Sequence, residues 1–351
     1  MKVTDQDVAW PEAVDSEEQL DVLLRRPTPQ LVDFMRRLDG DILLLGVSGK
    51  MGVSLATLAL DAVRQAGVRK RVFGAARFSE PSARDRLTAA GVRTLTCDLL
   101  NRASVAALPR VPNVVYLAGR KFGTVGDEEN TWATNVLAPA LAMEHFAGCR
   151  VAAFSTGCVY PLVAAGAAGS VEDDRPGPVG EYAQSCLGRE RVFSYCSRRD
   201  MTPLCLLRLN YAIDLRYGVL HDIAARVWRG EPVDLTVAWF NVIWQGDANA
   251  AALLALGQAA CPPAVLNLTG PETLRTRDVA IEFGSLMNRT VSFGGQEGDR
   301  CYLNNATRIH TLFGTPRVSA VQLIRWQAHW VMNGGRSLGK PTHFEVADGK
   351  Y

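Results

Sequence analysis

Seven consecutive residues, Gly46-Val47-Ser48-Gly49-Lys50-Met51-Gly52, carry the clearest chemistry in the sequence. Glycines spaced three apart let a chain turn tightly and bring backbone N–H groups up to an anion, and a helix opening from such a turn aims its positive end at the same point. That combination suits a diphosphate, so Gly46, Gly49, Lys50, Met51 and Gly52 are candidate cofactor contacts. Further on, Ala75-Ala76-Arg77 offers no carboxylate to hold a ribose 2′-hydroxyl. The fork of Arg77 instead matches a 2′-phosphate, and Lys50 adds a second positive charge. The pattern favours NADP(H), with NAD(H) as the alternative. Eight cysteines lie at 97, 149, 158, 186, 196, 205, 261 and 301 without a C-x-x-C pair. They read as free thiols of a reducing, cytoplasmic protein rather than as a disulfide frame or zinc site. No His, Cys or Asp cluster has metal-ligand spacing, so no metal is expected.

The elements that must position these residues follow from hydrophobic pattern. Ile42–Leu45 precedes the glycine turn, and Leu55, Leu58, Ala59, Ala62 and Val63 follow at helical period. Short apolar runs at Arg71–Ala75, Thr94–Cys97, Asn113–Leu117, Val151–Phe154 and Leu204–Leu209 alternate with helical stretches at Ser82–Ala90, Trp132–Phe146 and Tyr182–Arg198. Strands apolar on both faces and separated by helices predict an α/β fold, a Rossmann-like doubly wound parallel sheet with helices on both sides. Beyond Asn210 the spacing predicts helices over His221–Arg229, Ala248–Leu256, Thr276–Met287 and Ala320–Met332, and strands over Trp239–Trp244 and Ala264–Leu268. The first forty residues read as a helical extension, with Ser16 and Thr28-Pro29 as helix starts. The expected organisation is an extension over 1–40, a dinucleotide-binding domain over 41–210, and a smaller substrate-binding lobe with returning strands and a tail over 211–351.

Composition narrows the partners. The chain has 351 residues, is 48% hydrophobic and 21% charged, and carries a net charge of +2. Near-neutrality argues against a nucleic-acid scaffold or a polybasic membrane binder. The acidic N-terminus lacks an apolar core segment, and the uncharged stretch from Val151 to Val171 is broken by Pro161 and three glycines. Neither reads as a leader or a membrane span.

With these features in place the sequence from about 41 to 335 resembles the extended short-chain dehydrogenase/reductase superfamily, the NAD(P)-dependent epimerase/dehydratase group. Besides the glycine turn, Cys97-Asp98-Leu99 and Leu117-Ala118-Gly119 sit at strand ends where that family contacts its cofactor, and Asn135 lies in a similar helix-four segment. Phe154-Ser155-Thr156-Gly157-Cys158-Val159-Tyr160-Pro161 is similar to the strand-five motif. The resemblance implies that Thr156 holds the substrate oxygen and that Tyr182, 26 residues later, handles its proton. It implies cofactor contacts for Asp98, Leu99, Ala118, Gly119, Asn135, Tyr182 and Cys186. Arg208-Leu209-Asn210-Tyr211 resembles the segment that turns toward substrate, which makes Asn210, Tyr211 and Arg216 candidate substrate contacts. A homodimer is also implied.

One departure stands out. The family uses Tyr-x-x-x-Lys, and this chain has Tyr182-Ala183-Gln184-Ser185-Cys186. A free Tyr has a pKa of about 10, and a neutral thiol cannot supply the attraction of an ammonium. Arg189, seven residues past Tyr182, sits about 10 Å further along the axis by helix rise. Lys121, after the fourth strand, is therefore the leading candidate for a displaced cation. Gly157-Cys158 also replaces the Asp-Glu pair of the dehydratase branch. The expected function is an NAD(P)-dependent oxidoreductase or epimerase acting on a sugar or related polyhydroxylated or carbonyl compound. The alternatives are a catalytically altered dinucleotide-binding sensor or partner-binding protein, or a lyase or isomerase with permanently bound cofactor.

Overall fold

The computed structural model describes residues 10–121, 123–124, 126–340, 342 and 344. Seven parallel strands form the central sheet: β1 (Ile42–Leu45), β2 (Val72–Ala76), β3 (Arg93–Thr96), β4 (Asn113–Tyr116), β5 (Arg150–Thr156), β6 (Leu204–Leu209) and β7 (Ala264–Leu268). Their order across the sheet is β7-β6-β5-β4-β1-β2-β3. The chain reverses its direction of growth between β1 and β4. A crevice opens outside the carboxyl ends of strands at such a switch point. Strands β1 and β4 are buried along their whole length, as their unbroken apolar runs require.

The glycine turn leads from β1 into helix α1 (Gly52–Ala66), which begins without a side-chain cap and ends at left-handed Gly67. Its open N-terminus faces the switch point. Between β4 and β5 the helical stretch is not uniform. It runs as Glu128–Trp132, then a π-helical turn over Ala133–Leu137, then Ala138–His145. Helix α2 (Gly180–Asp200) spans 21 residues and lies along β5 and β6. Trp239–Trp244, expected as one strand, is two. Trp239–Asn241 pairs antiparallel with Thr273–Arg275, and Ile243–Trp244 pairs parallel with Ala212–Ile213. The two halves answer to different neighbours, which the alternation of residue types does not encode.

The N-terminal helices pack on this chain's own core. Ser16 accepts from Gln19 N at 3.1 Å and Thr28 from Leu31 N at 2.9 Å, so both expected caps form. Leu20, Leu23 and Leu24 join a core with Phe240, Trp244 and Trp326, whereas Leu31, Val32 and Met35 join the core under the sheet with Leu55 and Leu58. The extension thus ties the sheet to the later helices.

Candidate active site

Two adjoining cavities occupy the switch-point crevice. The larger, about 300 Å³, is lined by the glycine turn, Thr156, Tyr182 and residues after β6. The smaller, about 200 Å³, is lined by Arg77, Asp98, Leu99 and Ala118. Both share Gly46, Gly49, Leu117 and Gly119. A long ligand can therefore lie across the sheet edge from Arg77 to Tyr182.

Backbone geometry makes the junction. Gly46 has φ +94°, and a Cβ there would lie 2.7 Å from Ala118 N. A Cβ on Gly52 would lie 2.3 Å from Val47 O. No side chain fits at either position, so the turn presents bare backbone at the helix start. That cradle and the elongated crevice fit a dinucleotide. Arg77 and Asp98 are exposed at the far end, and Asp98 Oδ1 accepts from Leu100 N at 3.0 Å.

The opposite end is built by side chains. Beneath β5, Ser155 Oγ donates to Glu190 Oε1 at 2.6 Å, and Arg208 grips both oxygens of Glu190 at 3.0 and 2.8 Å. This buried pair pins α2 to β5 and β6. Its removal on one side would strand a buried charge, at a cost of about 3–5 kcal/mol. The pin brings Tyr182, on α2, to the same cavity as Thr156, at the end of β5, and the Thr156 hydroxyl pulls the Tyr182 hydroxyl toward ionisation. Thr156 Oγ1 also accepts from Cys158 N at 3.2 Å.

Cys186 is fully buried and packs with Tyr182, Val159 and Tyr160. Burial pushes its thiol up to about 11, so it is neutral near pH 7. A cation that acts on both members of this pair comes from the same helix. Arg189 folds back so that Nε donates to Asn135 O at 3.3 Å and Nη1 to Phe154 O at 3.2 Å, while Nη2 donates to Asn135 Oδ1. A Cβ on Gly119 would lie 2.4 Å from Arg189 Nη2. Burial raises the Tyr182 hydroxyl well above its ordinary 10.0, with Cys186 and Cys158 adding to the rise; Arg189 and Thr156 pull against it. Burial wins, and Tyr182 is a neutral phenol.

Asn135 sits in the π-helical turn, lines neither cavity, and braces the loop after β4. It exchanges hydrogen bonds with the backbone of Arg120 at 2.9 and 3.0 Å and donates to Ser185 Oγ at 2.9 Å. Lys121 lines the larger cavity, as do Asn210 and Tyr211. Lys121 Nζ lies 3.4 Å from Thr342 O, and burial pulls its ammonium down, against the pull of Cys158, Asp222 and Cys186. Lys50 does not turn toward Arg77. Its Nζ donates to Ala212 O at 2.7 Å and stands 4.0 Å over the Tyr217 ring. Arg216 lines neither cavity: its guanidinium holds Asp214 at 2.8 Å and reaches Asp21 at 3.1 Å. Cys158 and Thr342 line the larger cavity without having been singled out as site residues by the sequence; Tyr217, beside the candidate Arg216, lines it as well. Among the described residues no group of three His, Cys, Asp or Glu side chains could hold a metal, and no helix is long and apolar enough to cross a membrane.

Neither known protein families nor curated proteins match this sequence. Solved structures do. UDP-glucose 4-epimerase from Thermotoga maritima, solved with UDP-glucose, superposes with a TM-score of 0.70 at 17% identity, covering 84% of this chain and 99% of that one. dTDP-glucose 4,6-dehydratase from Bacillus anthracis, in complex with NAD, gives 0.70 at 15% identity over 84% and 96%. UDP-glucuronic acid 4-epimerase from Bacillus cereus, also with NAD, gives 0.66 at 16% over 84% and 98%. With its seven-stranded parallel sheet flanked by helices, this chain has the Rossmann-like α/β fold of those epimerases and that dehydratase.

Proposed function

We propose that the protein is an NAD(P)-dependent oxidoreductase or epimerase acting on a sugar or related polyhydroxylated or carbonyl compound. The observation that carries this is the meeting of Thr156 and Tyr182 in a cavity whose wall also carries the glycine cradle. Residues 41–210 would hold the cofactor, and 211–351 would supply most substrate contacts. A bound nicotinamide cofactor supplies the site for hydride exchange with a substrate carbon. The chain's own residues do the rest. The Gly46–Gly52 backbone and the start of α1 hold the diphosphate, Asp98 and Leu99 flank the adenosine half, and Ala118 and Gly119 line the path between. Thr156 orients the substrate oxygen by a hydrogen bond, and Tyr182 gives or takes its proton.

Arg77 favours NADP(H), because an exposed guanidinium with no acid beside it on Ala75-Ala76-Arg77 is suited to a 2′-phosphate. Two of the neighbouring proteins named above, the dehydratase and the glucuronic acid epimerase, were solved with NAD, so NAD(H) is the second choice. Trp132, Leu137 and Tyr195 are exposed at 38%, 50% and 63% around the helices flanking β5, which supports a homodimer there. Eight free thiols support a reducing, cytoplasmic setting.

Calorimetry with NAD+ and NADP+, followed by Tyr182→Phe, tests the proposal. Binding of either cofactor, with turnover lost by about a hundredfold at unchanged cofactor affinity, is the expected result. Absence of binding to both overturns it.

A further inference from the structure

The wall of the larger cavity has an unbalanced charge. Lys50, Arg120, Lys121 and Arg189 line it, and among the described residues no Asp or Glu does. Two of these cations are committed elsewhere. Arg189 is spent on Asn135 and Phe154, and Arg120 pairs with Asp127 at 2.5 Å. The two lysines come from different loops, Lys50 from the turn after β1 and Lys121 from the loop after β4. Each is aimed by a backbone carbonyl of the later lobe, Ala212 O and Thr342 O. The nearby carboxylates are engaged: Asp214 with Arg216, and Asp222 with Thr342 N at 2.8 Å.

We infer that Lys50 and Lys121 form a subsite for an anionic group, a carboxylate or a phosphate, on the substrate itself. The inference rests on the proposed function and narrows its substrate class to a sugar-like acid or phosphate ester. The placement separates this subsite from the cofactor's own phosphates. The carbonyls that aim the lysines belong to residues after β6 and to the tail. Neither lysine lines the smaller cavity beside Arg77 and Asp98. Electrostatics agree. Crowding by protein pulls the Lys50 ammonium down to about 7, Asp214 opposes this, and Lys121 reinforces it by repulsion. A bound anion relieves the repulsion between the two ammoniums.

The test uses the full-length protein saturated with its preferred cofactor. D-glucuronate, D-glucose 6-phosphate and D-glucose are titrated calorimetrically into wild type, Lys50→Met, Lys121→Met and the double variant. The expected result is that one anionic sugar binds at least about tenfold more tightly than glucose, which is roughly 1.4 kcal/mol. Which of the two binds identifies the anion. The double variant should lose the preference while cofactor affinity changes less than twofold. Equal affinity for all three sugars, or no binding of any, overturns the inference while leaving the proposed function standing. Weakened cofactor binding in the lysine variants also overturns it, by assigning the ammoniums to the cofactor. Failure of wild type to bind cofactor overturns the proposed function instead.

Discussion

The two ends of the crevice are made differently. The end near Arg77 is backbone: a glycine turn, strand ends, and a helix start without a side-chain cap. The end near Tyr182 is side chains converging from α2, the turn after β1, the loop after β4 and the lobe after β6. Backbone sites tolerate no added atoms but depend little on distant partners. Side-chain sites tolerate substitution of shape but depend on charges placed by residues far away in sequence. The cation beside the tyrosine shows the second principle. Its usual position on α2 holds a neutral thiol, and Arg189 brings charge in from the next turn but one.

Substitution of Gly52 by Val would break the backbone end. Its Cβ would meet Val47 O at 2.3 Å, and that oxygen belongs to the same turn, so no side chain can move away to make room. Cofactor affinity should fall by about a thousandfold or more, read by calorimetry, with a lowered Tm. A Gly52→Val variant that binds cofactor within tenfold of wild type would mean that the turn is not the cradle.

The side-chain end should respond more gradually. Arg189→Met removes the cation that pulls both Tyr182 and Cys186 toward ionisation, and turnover should fall by about a hundredfold. The same experiment separates positioning from packing. Loss of charge should lower the oxidation rate, which needs the ionised tyrosine, and leave reduction, which uses the phenol, unchanged, whereas a packing defect alone would lower both. Restoring the missing lysine by Cys186→Lys should not help by itself. It would bury an ammonium at a fully enclosed position beside Arg189, destabilising the fold by about 3 kcal/mol. Cys186→Lys with Arg189→Met should recover Tm and part of the activity. If the single variant is as stable as wild type, the two positions do not share a charge site.

Legibility followed the same division. The seven strands, their helices and the glycine turn depend on local pattern, and β6, β7 and the helices over Thr276–Met287 and Ala320–Met332 formed over the residues expected. The placement of charged side chains did not depend on local pattern. Helix rise set Arg189 too far for close pairing unless its long side chain folds back, and the carbonyls of Phe154 and Asn135 draw its guanidinium back under the end of β5. Arg216 looked free to meet substrate until Asp21, 195 residues upstream, closed on it. The π-helical turn around Asn135 carries an ordinary helical sequence. Only its packing against α2 reveals the extra residue per turn.

The pH dependence distinguishes the two groups that titrate at the side-chain end. Tyr182 has a pKa raised well above 10.0, so its ionised fraction grows tenfold per pH unit throughout the working range. Oxidation of a hydroxyl substrate should therefore climb about tenfold per unit from pH 7 to 9 without a plateau in kcat, while reduction, which uses the phenol, stays flat. Lys50 crosses its value of about 7 in the same window and loses charge as pH rises, with Asp214, Asp222, Lys121 and Arg216 around it. Its titration should appear in KM for an anionic substrate and not in kcat. A kcat plateau below pH 8 would show that a cation closer than Arg189 activates the tyrosine.

The smallest effect is expected at Arg77, at the backbone end. Arg77 is exposed, so solvent screens its attraction for a phosphate, and a single exposed charge contributes modestly. Replacement by Ala should weaken NADP+ by about tenfold, equivalent to about 1.4 kcal/mol, and leave NAD+ unchanged. The contrast with Gly52 is the point of the measurement. Both residues belong to the cofactor end, yet one shapes the backbone and the other only adds a charge at its rim. Titrating both coenzymes into Arg77→Ala at low and high salt isolates the rim contribution, because added salt should erase the wild-type preference but not the shared affinity. If NAD+ and NADP+ weaken together, Arg77 holds the adenosine half as a whole. The absence of an acid after β2 would then say nothing about the 2′ position.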